Sequence, residues 1–447
     1  VTILHLRAKT PGTISTHVGE VGGRPAVVVE CTGGERRGAL SPADGRNIEA
    51  AARTAREAKV PLVLVIASSG ADVQEGVDAL HGWGRAAREL VATSGIVPIL
   101  AAAVGPAVSG PALLLGLADH VVMTERAYAF MSGPAMVRQF TGVPITTTAL
   151  GGPGAHHRSS GLASLLVRDR DDALDALGDL LNLLPSSNDE LPPRLDTDDP
   201  ADRETPEAGD LLPTAATGSY DMRDLVRTVV DDGELLEVRA AWAPNLVTAF
   251  ATIDGRPVGV IANQPLALAG TLDIPASQKG ARFVAFCDAF NLPLVTFVDT
   301  PGFYPGKDLE WRGMIRKGAQ LAFAYARATV PRVAVVIRKS YGGAYIVMDS
   351  KRMGNDLMFA WPTAEIAVMG ARQASEILHR RETPERRAEL EAEYEERLLN
   401  PYVAAERGTV DAVIEPAETR SALASGLEVL ASKRERLVAR RHDNTPL

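Results

Sequence analysis

The chain's 447 residues are about three times a typical ~150-residue domain, and a single core rarely grows past ~250–300 residues, so two domains are expected. A composition 46% hydrophobic and 23% charged excludes a disordered chain, and a net charge of −9 with a pI near 5.5 argues against a nucleic-acid partner. Two cysteines, Cys31 and Cys287, exclude a disulfide framework and a cysteine-only zinc site, and with no signal-like order of basic, apolar and small residues at the start the expected location is cytoplasmic.

In chain order, Arg24–Val29 reads as a strand, and Gly38-Ala39-Leu40 opens a helical stretch running to Ala58. Val60–Ile66 is a buried strand that ends in Ser68-Ser69-Gly70. Ile96–Ala118 runs 23 residues without a charge, long enough to span a bilayer. Pro98, Pro106 and Pro111 break it, as do Gly105, Gly110 and Gly116. A buried strand, a Gly-rich turn and a buried helix start are therefore expected, and no membrane span. Leu184–Ser219, rich in Pro, Asp and Ser, reads as an ordered or semi-flexible connector. A second series follows: a strand at Arg256–Ile261, Gly270-Thr271-Leu272 leading into a helix through Phe290, and a strand at Leu292–Asp299 ending in Thr300-Pro301-Gly302. Thr383–Asn400 reads as a charged, solvated helix.

The two series are copies of each other. Gly38 to Pro61 and Gly270 to Pro293 are both 23 positions, and Pro98 to Gly110 and Pro331 to Gly343 are both 12. Such a long repeat is a duplicated domain and not a solenoid. Short β-rich runs alternating with helical patterns are α/β grammar. The expected layout is an N-terminal domain over 1–185, a linker over 186–219 and a C-terminal domain over 220–447.

Two Gly-rich turns sit at equivalent places, Ser109-Gly110-Pro111 and Gly342-Gly343-Ala344-Tyr345. Glycine at a strand-to-helix turn lets a ligand approach the backbone, and amides at a helix start are ready donors to an oxyanion. The plainer alternative is close helix–strand packing. No Gly-x-x-x-x-Gly-Lys-Ser/Thr phosphate loop and no Gly-x-Ser-x-Gly nucleophile elbow occur. His156-His157 has no neighbouring carboxylate cluster, so no metal site is expected. Glu365 reads either as a general base or, more plainly, as an acid at a helix N-terminus.

Longer stretches carry a resemblance: DIPASQKGARFVAFCD (273–288), PLVTFVDTPGFYPG (293–306), GMIRKGA (313–319), RKSYGGAYIVMDS (338–350) and FAWPTAEIAVMG (359–370). With Gln74–Asp78, Gly151-Gly152 and the tail Ala431-Ser432-Lys433, His442 and Pro446-Leu447, the chain from about residue 20 onward resembles the carboxyltransferase β subunit of biotin-dependent acyl-CoA carboxylases of the propionyl-CoA and acetyl-CoA type. The resemblance implies two tandem crotonase-like domains (ββα spirals), an active site between the N-domain of one subunit and the C-domain of its dimer partner, and a homo-oligomer, usually a hexamer built from dimers. It implies carboxybiotin on a separate carrier, a biotin carboxylase partner, and an acyl-CoA substrate whose enolate captures CO2. Two oxyanions arise in that chemistry, and the chain has two matching turns. By the resemblance Gly343 and Ala344 face biotin, Ser109 and Gly110 face the acyl thioester, and Gly342, Tyr345, Ile346, Gly302, Phe303, Gly70 and Ala71 line the substrate.

The departures are concentrated in the first half. Where the family has Asp-Ser-Gly-Gly-Ala-Arg, this chain has Ala67-Ser68-Ser69-Gly70-Ala71-Asp72; where it has Gly-Gly-Ala, Ser109-Gly110-Pro111; where propionyl-type members often carry Asp, Ile346. Pro111 has no N–H. The lead before Arg24 is shorter than the family's. A biotin half kept intact and an acyl half remodelled are the expectation. The rival readings are a decarboxylase or transcarboxylase subunit and a degenerate, non-catalytic partner; an enoyl-CoA hydratase or isomerase fits less well.

Overall fold

A computed structural model describes residues 4–5, 12–215, 218–433 and 435–446; Leu447 of the quoted tail lies outside them. The chain forms two compact units that divide between Pro193 and Arg194, with Arg239–Trp242 and Ala289–Asn291 belonging to the first. The Pro-rich connector is thus shared: Asn188 N–H donates to the Ile96 carbonyl within the first unit (2.9 Å), and Leu195 N–H donates to the Gly255 carbonyl within the second (2.7 Å).

The first unit holds β1 (Leu4–His5), β2 (Ser15–Val21), β3 (Arg24–Thr32), β4 (Leu62–Ser68), β5 (Ile99–Val108), β6 (His120–Thr124), β7 (Tyr128–Phe130) and β8 (Leu165–Val167). Their order across the sheet is β1-β2-β3-β4-β5-β6-β8, with β7 on the far end of β5. The second unit repeats it with β9 (Leu236–Glu237), β10 (Leu246–Ile253), β11 (Arg256–Asn263), β12 (Leu294–Thr300), β13 (Arg332–Tyr341), β14 (Leu357–Ala360), β15 (Glu365–Ala367) and β16 (Ala412–Val413), ordered β9-β10-β11-β12-β13-β14-β16, with β15 on β13. In each sheet the short edge pair, β1–β2 or β9–β10, and the hairpin that follows, β2–β3 or β10–β11, are antiparallel, and the pairs beyond are parallel. The hairpin turns explain themselves. Gly22-Gly23 and Asp254-Gly255 both take positive φ, which a two-residue turn matching the strand twist requires.

The inner strands are continuous apolar runs because both faces are covered; every residue of β4 and of β12 is buried. The 23-residue charge-free run resolves into β5 and the short helix Gly110–Gly116, and among the described residues no helix is long and apolar enough to cross a membrane. The helix after Gly38 starts later than its sequence suggests, at Pro42, where Ser41 and Asp44 form a reciprocal capping box. It packs on the helix Val77–Thr93 at Gly45 and Gly82, so closely that a Cβ on Gly45 would lie 2.2 Å from the Gly82 backbone. The charged run forms a helix at Pro384–Leu398 with no buried residue, as a solvated surface should. Glu365 is not at a helix N-terminus: it lies on β15, paired beside Lys339.

Candidate functional site

Two loops and one turn build each candidate site, and the same hydrogen bonds set them in both units. In the first unit Leu40 bridges Ala71: Leu40 N–H donates to the Gly70 carbonyl (2.8 Å) and Asp72 N–H to the Leu40 carbonyl (2.9 Å). In the second, Leu272 bridges Phe303; Leu272 N–H donates to the Gly302 carbonyl (3.1 Å) and Tyr304 N–H to the Leu272 carbonyl (2.9 Å). Extended backbone alternates its polar groups, so the N–H groups of Ala71 and Phe303 point away from these bridges. A kink precedes each loop, where pairing slips by a bulge at Ile66/Ser68 and at Val298/Thr300. Ser68 and Thr300 then hold the amides of Gly70 and Gly302 through their hydroxyls, each at 3.3 Å. Gly38 and Gly270 are needed because a Cβ would strike the Ala67 and Asp299 carbonyls at 2.4 and 2.5 Å.

The third piece is the turn after β5 or β13. Ser109 (φ 60°) and Gly342 (φ 61°) both take a positive φ. Glycine takes it freely; serine holds it at a cost of about 1–3 kcal/mol, the kind of strain that gathers at functional positions. The helices Gly110–Gly116 and Gly342–Val347 begin at once, so the amides of Gly110, Gly343 and Ala344 have no carbonyl one turn back to receive them. The amide of Ser109 does have a partner, the Phe130 carbonyl at 2.9 Å. Of the Ser109-Gly110-Pro111 turn, only Gly110 has an N–H to offer, since Pro111 has none.

In the second unit the turn faces a cavity of about 470 Å³ lined by Phe303, Met314, Ile315, Gly318, Gly343 and Ile346, with Glu310, Ala319 and Val347. Sequence reasoning named Phe303, Gly343 and Ile346 and missed the wall from Met314 to Ala319. The signal was Gly318: a Cβ there would meet Phe303 at 3.3 Å, while one on Gly343 would meet the other side of that ring at 3.4 Å. The Phe303 ring is thus seated between two glycines. Gly302 has nothing within 4 Å of a Cβ position, and Gly343 is exposed.

Beneath this turn lies a polar network. The Asp299 carboxylate accepts Tyr220 O–H (2.9 Å), Arg338 Nε (3.1 Å) and Lys339 N–H (3.1 Å). Burial pushes Asp299 above the usual carboxylate range, against the pull of Arg338. Tyr341, which leads into Gly342, donates to Glu365; burial first, then that carboxylate, hold its hydroxyl protonated far above the ordinary phenol range. In the first unit the positions equivalent to Asp299 and Arg338 are Ala67 and Gly105, where a Cβ on Gly105 would lie 2.9 Å from that of Ala67. A buried ion pair is replaced by two small residues in contact, so the lost charge leaves no unpaired arginine behind.

His156 is occupied at both ring nitrogens, by Ser160 Oγ and the Ala129 carbonyl, each at 2.8 Å. Tyr345 lies beside Ala344 on the turn helix, partly buried.

The carboxyl transferase domain model matches residues 5–445. The chain belongs to the carboxyl transferase domain family. This carboxyltransferase is 45% identical over 430 residues to the propionyl-CoA carboxylase beta chain of Saccharopolyspora erythraea, covering 92% of this chain and 79% of that one. It is 43% identical to the methylmalonyl-CoA decarboxylase subunit alpha of Veillonella parvula, covering 92% and 80%. Its fold matches the crystal structure of transcarboxylase 12S, a hexamer with methylmalonyl-coenzyme A and methylmalonic acid bound, with a TM-score of 0.95 at 41% identity, over 97% of this chain and 85% of that one. The α/β fold of two tandem crotonase-like domains expected from the duplication and the resemblance is the fold of this carboxyltransferase.

Proposed function

We propose that this carboxyltransferase moves CO2 between carboxybiotin on a separate carrier protein and the α-carbon of a short acyl-CoA, at the propionyl-CoA and methylmalonyl-CoA level named for its relatives. The observation that carries the reading is the loop-and-turn frame repeated in the two units. To it we assign two donor sets, Phe303 with Gly343 and Ala344, and Ala71 with Gly110. Of these, Gly343 is exposed while Ala344 and Gly110 are buried, Gly110 against the Trp83 ring. Carboxybiotin supplies the CO2 and, once the N–C bond has broken, a ureido nitrogen able to take the α-proton. The chain's own work is to stabilise negative charge. The amides of the Phe303 set bind the ureido oxygen, and those of the Ala71 set bind the thioester oxygen of the enolate. Each oxyanion donor is worth roughly 3–4 kcal/mol, and the proton moves from the α-carbon to the ureido nitrogen, so no strong protein base is needed. In this reading the fused rings of biotin would occupy the largely apolar cavity, which has the exposed Gly343 on its wall.

The test is fixation of 14C-bicarbonate into a panel of acyl-CoAs with ATP, biotin carboxylase and the biotinylated carrier. Label in the acyl-CoA supports the reading; no label with any acceptor defeats it. Transfer that runs only from methylmalonyl-CoA to the carrier would favour the decarboxylase or transcarboxylase direction, which the Veillonella relative and the 12S structure suggest. Assembly is proposed as a homo-oligomer, a hexamer as in the 12S structure. None of the chain's lysines stands between methionines, the setting of the lysine in biotinyl domains. The chain is therefore expected to stay negative on a streptavidin blot, and a positive band would contradict the separate carrier.

Ile346 is 39% exposed and lines the cavity with Gly343. The α-carbon has to reach the CO2 released at biotin, so in the proposed reading the acyl tail abuts this same wall. An apolar wall discriminates by only ~1–3 kcal/mol per methylene, so acceptance of groups longer than propionyl is expected. Ile346→Asp should shift preference to short chains, because a carboxylate resists desolvation beside a long tail. The check is kcat/KM for acetyl, propionyl, butyryl and longer thioesters in both forms; identical profiles would remove Ile346 from the pocket.

A further inference from the structure

A second cavity, of about 450 Å³, lies in the first unit and is lined by Thr13, Arg36, Ser41, Arg46, Asp72 and Glu75 among small uncharged residues. It adjoins the proposed acyl site directly, since Asp72 follows Ala71 and Ser41 follows Leu40. Its two arginines suit a phosphate, yet two carboxylates face them, and the formal charges of the lining cancel. The pairing is built in. Arg36 and Arg37 both take left-handed backbone conformations (φ 51° and 57°), held where Ser69 N–H donates to the Arg37 carbonyl (3.0 Å) and Ser69 Oγ to the Arg36 carbonyl (3.2 Å). This loop brings the Arg36 guanidinium onto the Asp72 carboxylate. Asp72 itself is 4% exposed, and its other oxygen accepts Gln74 N–H at 3.0 Å. It stands where the resembled family has arginine, so the local charge is inverted.

We propose that Asp72 is the charge-selecting residue of this cavity: by occupying Arg36 it weakens the hold on a phosphate-bearing carrier arm while leaving a neutral arm unaffected. The inference deepens the proposed carboxyltransferase reading and rests on it for the place of the thioester at Gly70 and Ala71. An internal carboxylate in direct contact with a guanidinium must be displaced or shared before a phosphate oxygen can take the same donors. Asp72→Asn can keep the acceptor for Gln74 N–H and so the turn, while replacing the oxygen that faces Arg36 by an NH2, which removes both the charge and the acceptor that occupies the guanidinium.

Titration calorimetry with coenzyme A and with pantetheine, on the full chain, tests it. Asp72→Asn should tighten coenzyme A roughly tenfold and leave pantetheine unchanged. In an Arg36→Gln background the same change should give no such gain, which a merely structural role for Asp72 would not produce. Equal coenzyme A affinity in wild type and Asp72→Asn, including none detectable in either, would overturn the proposal, as would an equal gain for pantetheine. Failure of the wild-type chain to label any acyl-CoA would instead defeat the carboxyltransferase substrate reading, and the coenzyme A to pantetheine ratio is read independently of that assay.

Discussion

Gly343→Val is expected to fold normally and to lose roughly 10²–10³ in turnover. Gly343 does not have a positive φ, and a Cβ there would sit in ordinary contact, 3.4 Å from the Phe303 ring. The backbone can therefore carry valine. The two γ-methyl groups, however, would enter the cavity beside an amide that the ureido oxygen must reach within hydrogen-bonding distance. The measurement is kcat for 14CO2 transfer alongside the thermal unfolding midpoint. Near-wild-type turnover in a well-folded mutant would contradict the oxyanion role. Gly342→Val is a different experiment, because φ 61° at Gly342 makes any side chain there strained, and a fall in activity would be confounded with misfolding.

Arg420→Met should produce the largest loss of stability, about 3–5 kcal/mol, because it leaves buried partners uncompensated. Arg420 is 0% exposed. Its guanidinium donates to the carbonyls of Pro200 (2.8 Å), Val229 (2.8 Å) and Asp199 (3.0 Å), and to the Asp231 carboxylate (2.7 Å). Asp231 in turn accepts the amides of Asp254 (3.0 Å) and Gly255 (2.8 Å), the hairpin turn of β10–β11. One side chain thus joins the helix Thr419–Leu430, the middle of the connector at Asp199-Pro200 and, through Asp231, the β10–β11 hairpin of the second sheet. Methionine would fill much of the volume and satisfy none of these acceptors. The check is the urea midpoint at unchanged slope, with Arg420→Lys expected between the two. A midpoint equal to wild type would show that the network contributes little.

Much of this was legible in the chain alone. The duplication is visible as equal spacings between glycines and prolines, which mark the same strands and turns along both halves. Such landmarks are readable because each answers a local demand: Gly38 and Gly270 avoid a carbonyl at 2.4–2.5 Å, and Gly342 supplies a positive φ. Long buried strands announce themselves by composition, and the family resemblance rests on loops that these strands hold up. What the chain alone could not decide was which amides remain free. Ser109 looked like a donor beside Gly110, but β7 lies along the end of β5 and its Phe130 carbonyl takes that N–H. Ala71 and Phe303 looked like lining residues, yet the bridges to Leu40 and Leu272 turn their N–H groups outward. Likewise Arg36 and Asp72 are 36 positions apart, and nothing local in either predicts that they meet. The physical reason is common to all three cases. Backbone dihedrals and burial patterns follow from neighbours in sequence, whereas the fate of a particular donor depends on strand register and loop closure across the sheet, which only the folded chain determines.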